Sequence, residues 1–332
     1  MTTRFALSLT GIHARSESTI QATQDWERGR VSTSFLRDAF RKDCDSLLDL
    51  EERVGTDYVT DGQLTTAWQD LLTPVTSGFA GLKKGPMFRW YNTNTFYYAP
   101  VIHSELSSDG RAFARRIERR FAKGPMRIFI PDPLTFAELA IDKHYGTDGG
   151  AVGKEKVLFA YAEALNSELK ELEKNGVSYV QFSCPALVAR FRGRPVSHDG
   201  LATLGEAVRI AKRGTGVTTG FHTFFGDASP YFPALFDSIP VDDFGFDFTQ
   251  TDPEALPSTG RGVIAGVADA RTTYLESLDE LSERVKVVIA KTASRRITLG
   301  PSCDMRYIPR VSADEKLVRL GALKVKLEGD AT

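Results

Sequence analysis

The sequence contains few cysteines, and they lie far apart. Cys44, Cys184 and Cys303 are the only three among 332 residues. An odd number of widely spaced cysteines does not suggest a disulfide framework. We therefore expect a reducing, cytoplasmic setting for the chain.

The sequence also lacks an excess of charge of either sign. It has 42 Lys and Arg against 43 Asp and Glu, for a formal net charge of −1. No broad field of one sign would attract nucleic acid or a membrane surface. No segment approaches the roughly 20 apolar residues that span a bilayer, and residues 1–10 lack the cationic start and apolar run of a signal peptide. We expect a small-molecule partner, and neither nucleic acid nor a membrane.

No Gly-x-Gly-x-x-Gly turn follows any apolar run, and no low-complexity linker divides the chain. What is present is an alternation of short β-rich runs with segments of helical periodicity. The runs are residues 4–10, 57–60, 126–130, 179–183, 218–224, 243–248, 262–267 and 296–299. The clearest helical segments are 34–54, 154–176, 275–293 and 313–327. Several runs are almost continuously apolar, as strands buried on both faces of a parallel sheet are. The pattern predicts an α/β fold, a single (β/α)8 TIM barrel over 1–332, with a doubly wound open sheet as the alternative.

The longest interruption, residues 80–105, is rich in aromatic side chains. It follows the second predicted strand and includes Trp90 and Asn94. We expect it to form a hairpin or folded loop over the barrel mouth, where both residues would line a substrate pocket.

Polar residues follow several of the predicted strands, and in a barrel these carboxyl ends form the active face. His222, Asp247 and Cys303 end three of them. Together they would supply nitrogen, oxygen and sulfur to a metal with one open coordination position, as in catalytic zinc sites. A His and Asp set also suits iron. The alternative is a buried structural thiol and a hydrogen-bonded core histidine, with no metal.

Other strand ends offer further candidates. Asp132 and Cys184 follow the third and fourth runs, and Cys184 would be a replacement ligand, a nucleophile or a packing residue. Three arginines follow on a glycine-containing loop and would either meet an anion or be solvated. They are Arg190, Arg192 and Arg194.

The strand ends resemble the cobalamin-independent methionine synthase family, in particular its short, single-barrel form. Residues 60–63 (Thr-Asp-Gly-Gln) resemble the family's Asp-Gly-Glu turn, and residues 88–97 are similar to its aromatic insert. Residues 180–187 (Val-Gln-Phe-Ser-Cys-Pro-Ala-Leu) match its Ile-Gln-x-Asp-Glu-Pro-Ala-Leu. Residues 300–306 (Gly-Pro-Ser-Cys-Asp-Met-Arg) match its Asn-Pro-Asp-Cys-Gly-Leu-Lys. The resemblance covers nearly the whole chain and implies a (β/α)8 barrel, bound zinc and methyl transfer to sulfur.

The resemblance also exposes changes at the family's zinc positions. Members bind zinc through His-x-Cys, a Glu and a late Cys. Here His222 is followed by Phe224 where the second thiolate belongs, Asp247 falls near the Glu, and Cys303 falls on the late Cys. The comparison implies that zinc binding is weakened, that another metal is held, or that the site is empty.

The positions that bind substrate in the family are changed as well. Its homocysteine ammonium is held by carboxylates, where this chain has Gln63 and Ser183. Its Asp-x-His element, whose His donates a proton, reads here Asp269-Ala270-Arg271. An ammonium group without counter-charges is costly to bury, whereas Arg271 favours a carboxylate, sulfonate or phosphate on the ligand. Homocysteine is therefore a poor candidate substrate for this chain.

Our leading hypothesis is a diverged enzyme that transfers a methyl or other alkyl group to or from sulfur on a small anionic substrate, with folate or another compound as methyl donor. In this hypothesis His222, Asp247 and Cys303 hold a metal, and Arg271 orients the anionic substrate. Catalysis would use Arg271, Asp269 and Cys184. The substrate would contact Gln63, Asp132, Ser183, Trp90 and Asn94. Two alternatives stay open. One is a catalytically silent barrel that binds a ligand or partners an active paralogue, and the other is a metal-free, cysteine-dependent C–S lyase or transferase.

Overall fold

A computed structural model describes residues 3–65, 69–115, 124–146, 150–189 and 195–330 of the chain. The loop arginines Arg190, Arg192 and Arg194 lie outside the described residues. Of the helices within them, none is long and apolar enough to cross a membrane.

The described residues form a parallel sheet, a small second sheet and surrounding helices. The strands are β1 (Arg4–Leu7), β2 (Ala80–Arg89), β3 (Phe96–Ser107), β4 (Met126–Pro131), β5 (Ile141–Asp142), β6 (Val177–Ser183), β7 (Thr218–Thr223), β8 (Asp243–Asp247), β9 (Gly262–Ala268) and β10 (Arg296–Pro301). The helices are α1 (Glu17–Glu27), α2 (Thr33–Val54), α3 (Thr73–Gly78), α4 (Arg111–Ala114), α5 (Pro133–Leu139), α6 (Glu155–Lys174), α7 (His198–Lys212), α8 (Ala234–Ser238), α9 (Leu278–Thr292) and α10 (Arg310–Asp330).

The main sheet has seven strands in the order β1-β10-β9-β8-β7-β6-β4, and every neighbouring pair is parallel. Strands β8 and β9 are buried along their whole length, as expected for a sheet covered on both faces. Seven of the eight predicted strands are confirmed. The alternation of these strands with helices confirms the α/β class.

The second predicted strand, residues 57–60, makes only an isolated parallel bridge between Val59 and Met126. It nevertheless lies between the two edge strands of the sheet. The Asp57 N–H donates to the Leu7 carbonyl at 2.8 Å, and the Arg127 N–H donates to the Val59 carbonyl at 3.0 Å. The sheet therefore contains seven of the eight predicted strands, and residues 57–60 contribute only this bridge.

The aromatic segment is an antiparallel hairpin of β2 and β3, extended by the parallel strand β5. At its turn, Trp90 and Tyr91 are buried. The Tyr91 ring lies 6.0 Å from that of Phe225 after β7, and the Arg306 guanidinium lies 5.3 Å from the Trp90 ring. The turn therefore packs beside the carboxyl ends of β7 and β10.

Local sequence fixes two features that position the site. The side chain of Ser277 and that of Glu280 form a reciprocal capping box, so α9 begins at Leu278 and not at the predicted residue 275. In β8, a Cβ on Gly245 would lie 2.7 Å from the His222 ring. Glycine at this position therefore leaves room for the imidazole inside the sheet.

Candidate functional site

The predicted site residues follow the carboxyl ends of the strands, and most of them are buried. Those with at most a few per cent of their surface exposed are Gln63, Trp90, Asp132, Ser183, Cys184, His222, Asp247 and Cys303. Asp269 and Arg271 are partly exposed. Asn94 is exposed in the turn between β2 and β3, so its position does not support the prediction that it lines a buried pocket.

Backbone strain concentrates at these strand ends. Among the described residues, four non-glycine residues have positive φ, and three of them adjoin the site: Gln63 at 52°, Tyr91 at 45° and Phe225 at 76°. A side chain in this left-handed region costs on the order of 1 kcal/mol or more, and such residues cluster at functional sites. Phe225 carries no residue pattern from which its positive φ could have been predicted.

Arg271 is held in one place by its neighbours. Its Nε and its backbone N–H both donate to Asp269 Oδ1, each at 3.0 Å, and its Nη2 donates to Thr249 Oγ1 at 2.6 Å. The Thr249 hydroxyl in turn donates to Asp247 Oδ1 at 2.5 Å. Arg271 Nη1 lies 3.9 Å from Asp247 Oδ2. Thr249 is a functional candidate that the sequence analysis missed.

Charges around this arginine shift the neighbouring groups. Burial raises the pKa of the Asp247 carboxyl, and the Arg271 guanidinium partly opposes that rise. Burial also raises the pKa of the Cys303 thiol well above its usual range, with the charges of Asp247 and Asp304 adding to the rise. Cys303 is therefore a protonated thiol at neutral pH, and it lies within electrostatic reach of both Asp247 and Arg271.

A second cluster surrounds Asp132 at the end of β4. Its carboxylate caps α5 by accepting the N–H groups of Leu134 at 3.0 Å and Thr135 at 2.9 Å. Burial raises the pKa of Asp132 to about 6, although hydrogen bonds from Thr135 and from the Cys184 thiol oppose the rise. Burial raises the pKa of Cys184 well above its usual range. Because a nucleophilic cysteine needs a lowered pKa and exposure, neither Cys184 nor Cys303 favours the cysteine-dependent alternative.

His222 belongs to a polar network inside the sheet. Its Nδ1 lies 3.3 Å from Gln181 Nε2, which also donates to the Thr10 carbonyl at 2.7 Å and to Ser183 Oγ at 3.1 Å. Burial, and to a smaller extent the charge of Arg127, lower the pKa of His222 to about 3. The imidazole is therefore neutral at physiological pH.

Several buried polar atoms of the predicted site have no hydrogen-bond partner among the described residues. They are Gln63 Oε1, Trp90 Nε1, His222 Nε2 and Asp247 Oδ2. An unpaired buried polar atom costs about 1–3 kcal/mol. Four such atoms at the same end of the sheet are the pattern expected of a site whose hydrogen bonds are completed by a ligand.

The predicted metal ligands can be tested against this geometry. The neutral imidazole of His222 and the unpartnered Oδ2 of Asp247 are suitable donors. However, no group of three or more His, Cys, Asp or Glu side chains in the described part of the chain is close enough to hold a metal ion. The cation beside Asp247 is the Arg271 guanidinium at 3.9 Å, which would repel a divalent ion. As arranged here, the residues do not fit zinc or iron, and the metal set His222, Asp247 and Cys303 stays a prediction.

The model of one protein family matches most of the chain. It is described as "Cobalamin-independent synthase, N-terminal domain", and it matches residues 45–293. A methionine synthase of Thermococcus kodakarensis is 26% identical over 309 residues, which cover 89% of this chain and 84% of the relative. A methionine synthase of Saccharolobus solfataricus is 24% identical, with coverage of 88% and 85%.

Solved structures share the fold. A B12-independent methionine synthase from Shewanella sp. W3-18-1 superposes with a TM-score of 0.68 at 19% identity and covers 91% of each chain. A putative enzyme of the same description from Listeria monocytogenes gives a TM-score of 0.73 at 15% identity and covers 98% of each chain. At such identities the likeness concerns the fold alone.

Proposed function

Because the chain belongs to the cobalamin-independent synthase family, we propose that it transfers a methyl or other alkyl group to or from sulfur on a small substrate, and that the anionic group held by Arg271 is the substrate thiolate. The family relationship by itself supports a methyl-transfer enzyme, without specifying the substrate. We also propose that the strands close into a (β/α)8 barrel, and that residues 80–105 cover its mouth.

One observation carries the proposal: Arg271 Nη1 and Asp247 Oδ2 lie 3.9 Å apart in a largely buried setting. A substrate thiol placed beside this pair, within hydrogen-bond reach of both atoms, would donate its proton to Oδ2, and the resulting thiolate would accept from Nη1. The elevated pKa of Asp247 makes it a better proton acceptor than an ordinary carboxylate. A fixed cation in a water-poor site stabilises the developing sulfur anion more than water does.

The transfer itself then needs few further groups. The sulfur lone pair forms a bond to the methyl carbon, and the bond from the methyl group to its donor breaks, leaving that electron pair on the donor. We assign Asp269 to holding Arg271, and His222, Gln63 and Trp90 to hydrogen-bonding the substrates through their unpartnered atoms. Asp132, Ser183 and Cys184 would line the pocket, and Asn94 would reach it only if the hairpin turn moved.

Binding of 3-mercaptopropanoate, followed by calorimetry and by the ultraviolet absorbance of the thiolate, tests the proposal. We expect Arg271→Met to weaken binding by roughly tenfold to a hundredfold, which corresponds to losing one charge-assisted hydrogen bond. Arg271→Lys should be intermediate, because lysine keeps the charge without the fork of donors. Arg209→Met is the matched control, since Arg209 is 59% exposed and pairs with Glu206 on the surface.

The same binding measurement distinguishes thiol binding by Arg271 from thiol binding by a metal ion. We expect chelator-treated protein to bind the thiol as tightly as untreated protein. Binding that is lost with the chelator and restored by zinc would overturn the proposal in favour of the predicted metal set. Unchanged binding by Arg271→Met would overturn it as well.

A second candidate is a catalytically silent barrel that binds a ligand or an active paralogue. The observation in its favour is that the matching family model describes an N-terminal domain. Turnover of a methylthio compound by the isolated chain would exclude it, whereas stable co-purification with an active methionine synthase would favour it.

A further inference from the structure

A buried ion pair lies behind the loop that carries Arg271. Lys316 of α10 and Glu276 just before α9 are 1% and 3% exposed at their side chains, and Lys316 Nζ lies 2.8 Å from Glu276 Oε2. Lys316 also donates to the Tyr274 carbonyl. Neither residue belongs to a strand end, and neither carries a motif that the sequence analysis recognised.

The pair is connected to the guanidinium by a short series of hydrogen bonds. Glu276 Oε1 accepts the backbone N–H of Asp269 at 2.6 Å. Asp269 Oδ1 then accepts both the backbone N–H and the Nε of Arg271, each at 3.0 Å. The intervening N–H of Ala270 donates to Ser302 Oγ at 3.1 Å. All three backbone N–H groups of this turn are therefore held by side chains.

Stability alone is a poor explanation for such a pair. Removing two charges from water costs several kcal/mol per ion, and apolar residues of similar size often replace a buried pair without loss of stability. What apolar residues cannot do is accept the Asp269 N–H.

We propose that Glu276 and Lys316 are positioning residues, which hold the Asp269 turn so that Arg271 Nη1 stays beside Asp247 Oδ2. They act through Asp269 and do not touch the substrate. The inference rests on the proposed function, because it assumes that Arg271 binds the substrate thiolate.

Two double variants separate positioning from stability. Glu276→Met with Lys316→Met removes both charges and the acceptor, whereas Glu276→Gln with Lys316→Gln removes the charges but leaves an amide oxygen for the Asp269 N–H. We expect the Met pair to weaken 3-mercaptopropanoate binding about tenfold and to lose the thiolate absorbance, because small misplacements of a binding group are costly. The Gln pair should bind 3-mercaptopropanoate within about twofold of wild type, because its amide oxygen still accepts the Asp269 N–H, which the Met pair leaves without an acceptor.

A further variant keeps the test valid if the Met pair does not fold. Glu276→Asp retains the charge but shortens the side chain by one methylene, so the carboxylate cannot reach both Lys316 and the Asp269 N–H. We expect it to weaken thiol binding as the Met pair does. Wild-type binding by a folded Met pair or by Glu276→Asp, or equal losses in the Met and Gln pairs, would overturn the positioning role.

Arg271→Met shows which of the two ideas has failed. If that variant binds the thiol normally, the proposed function is wrong. If it binds weakly while the Met pair and Glu276→Asp bind normally, only the positioning role is wrong.

Discussion

Asp132→Asn is expected to make the protein more stable at neutral pH. Asp132 is buried and its pKa is about 6, against about 3.9 for an aspartate in an unfolded chain. The native state therefore holds this proton more tightly than the unfolded state, so the contribution of Asp132 to stability is greatest below about pH 4 and falls as the pH rises through 6. Asparagine mimics the protonated acid and is as good a helix N-cap as aspartate.

The size of the effect follows from this difference in pKa. About two pKa units correspond to roughly 3 kcal/mol at pH 7.5, and about half of that remains at pH 5. Urea unfolding of both proteins at the two pH values measures the difference, and the titrations of all other groups cancel in it. A variant that is less stable than wild type at pH 7.5, or a gain that does not shrink at pH 5, would refute the reasoning. A carboxylate kept at such a cost to stability is expected at a functional site.

Three further predictions concern other parts of the chain. Ala293 ends α9 with φ 51° and is exposed, so Ala293→Gly should raise the free energy of unfolding by about 0.5–1 kcal/mol, measured by urea unfolding. The pKa of His222 is lowered to about 3, so its ring signals in an NMR titration should not change between pH 5 and 8, and its protonation should destabilise the native state only as the pH falls below its unfolded value. Cys44, Cys184 and Cys303 are buried, so a thiol reagent should modify none of them in the native protein and all three in denaturant. Rapid reaction of one native thiol would instead support the cysteine-dependent alternative.

The sequence was sufficient to predict the order of the main elements, because buried parallel strands are nearly continuous in apolar residues. The predicted helix 34–54 is found as α2, Thr33–Val54. Gly55, with φ 73°, caps its carboxyl end. Prediction was poorer where tertiary contacts decide the structure. Residues 57–60 have a strand-like composition, yet they pair through a single bridge at Val59. A hairpin was one of the two forms predicted for residues 80–105, but the burial of Trp90 and Tyr91 at its turn depends on partners that are remote in sequence.

For the candidate site, the sequence located the strand ends but not the contacts between their side chains. Asp247, Asp269 and Arg271 were all singled out from the sequence, and they do lie together. Thr249 joins them through its hydroxyl, and Glu276 holds them from behind. A threonine two residues after a strand end and a glutamate at the start of a helix are common in any α/β protein, so neither carries a recognisable signal.

The residue that replaces the missing thiolate ligand belongs to an aromatic cluster. Phe224, which stands where the resemblance places a thiolate ligand, is buried, with its ring 5.4 Å from that of His222 and 4.8 Å from that of Phe225. The Phe225 ring in turn lies 6.0 Å from Tyr91 and 5.7 Å from Tyr307. Aromatic side chains in place of a polar ligand would exclude water, and charge interactions strengthen as the local dielectric falls. A fixed guanidinium is then a stronger stabiliser of a substrate thiolate than it would be in water. Phe224→Cys in a chain that keeps Arg271 should therefore fail to create a zinc site, whereas Phe224→Cys combined with Arg271→His should bind more zinc by elemental analysis. Equal zinc in both variants would show that Arg271 is not what opposes the metal.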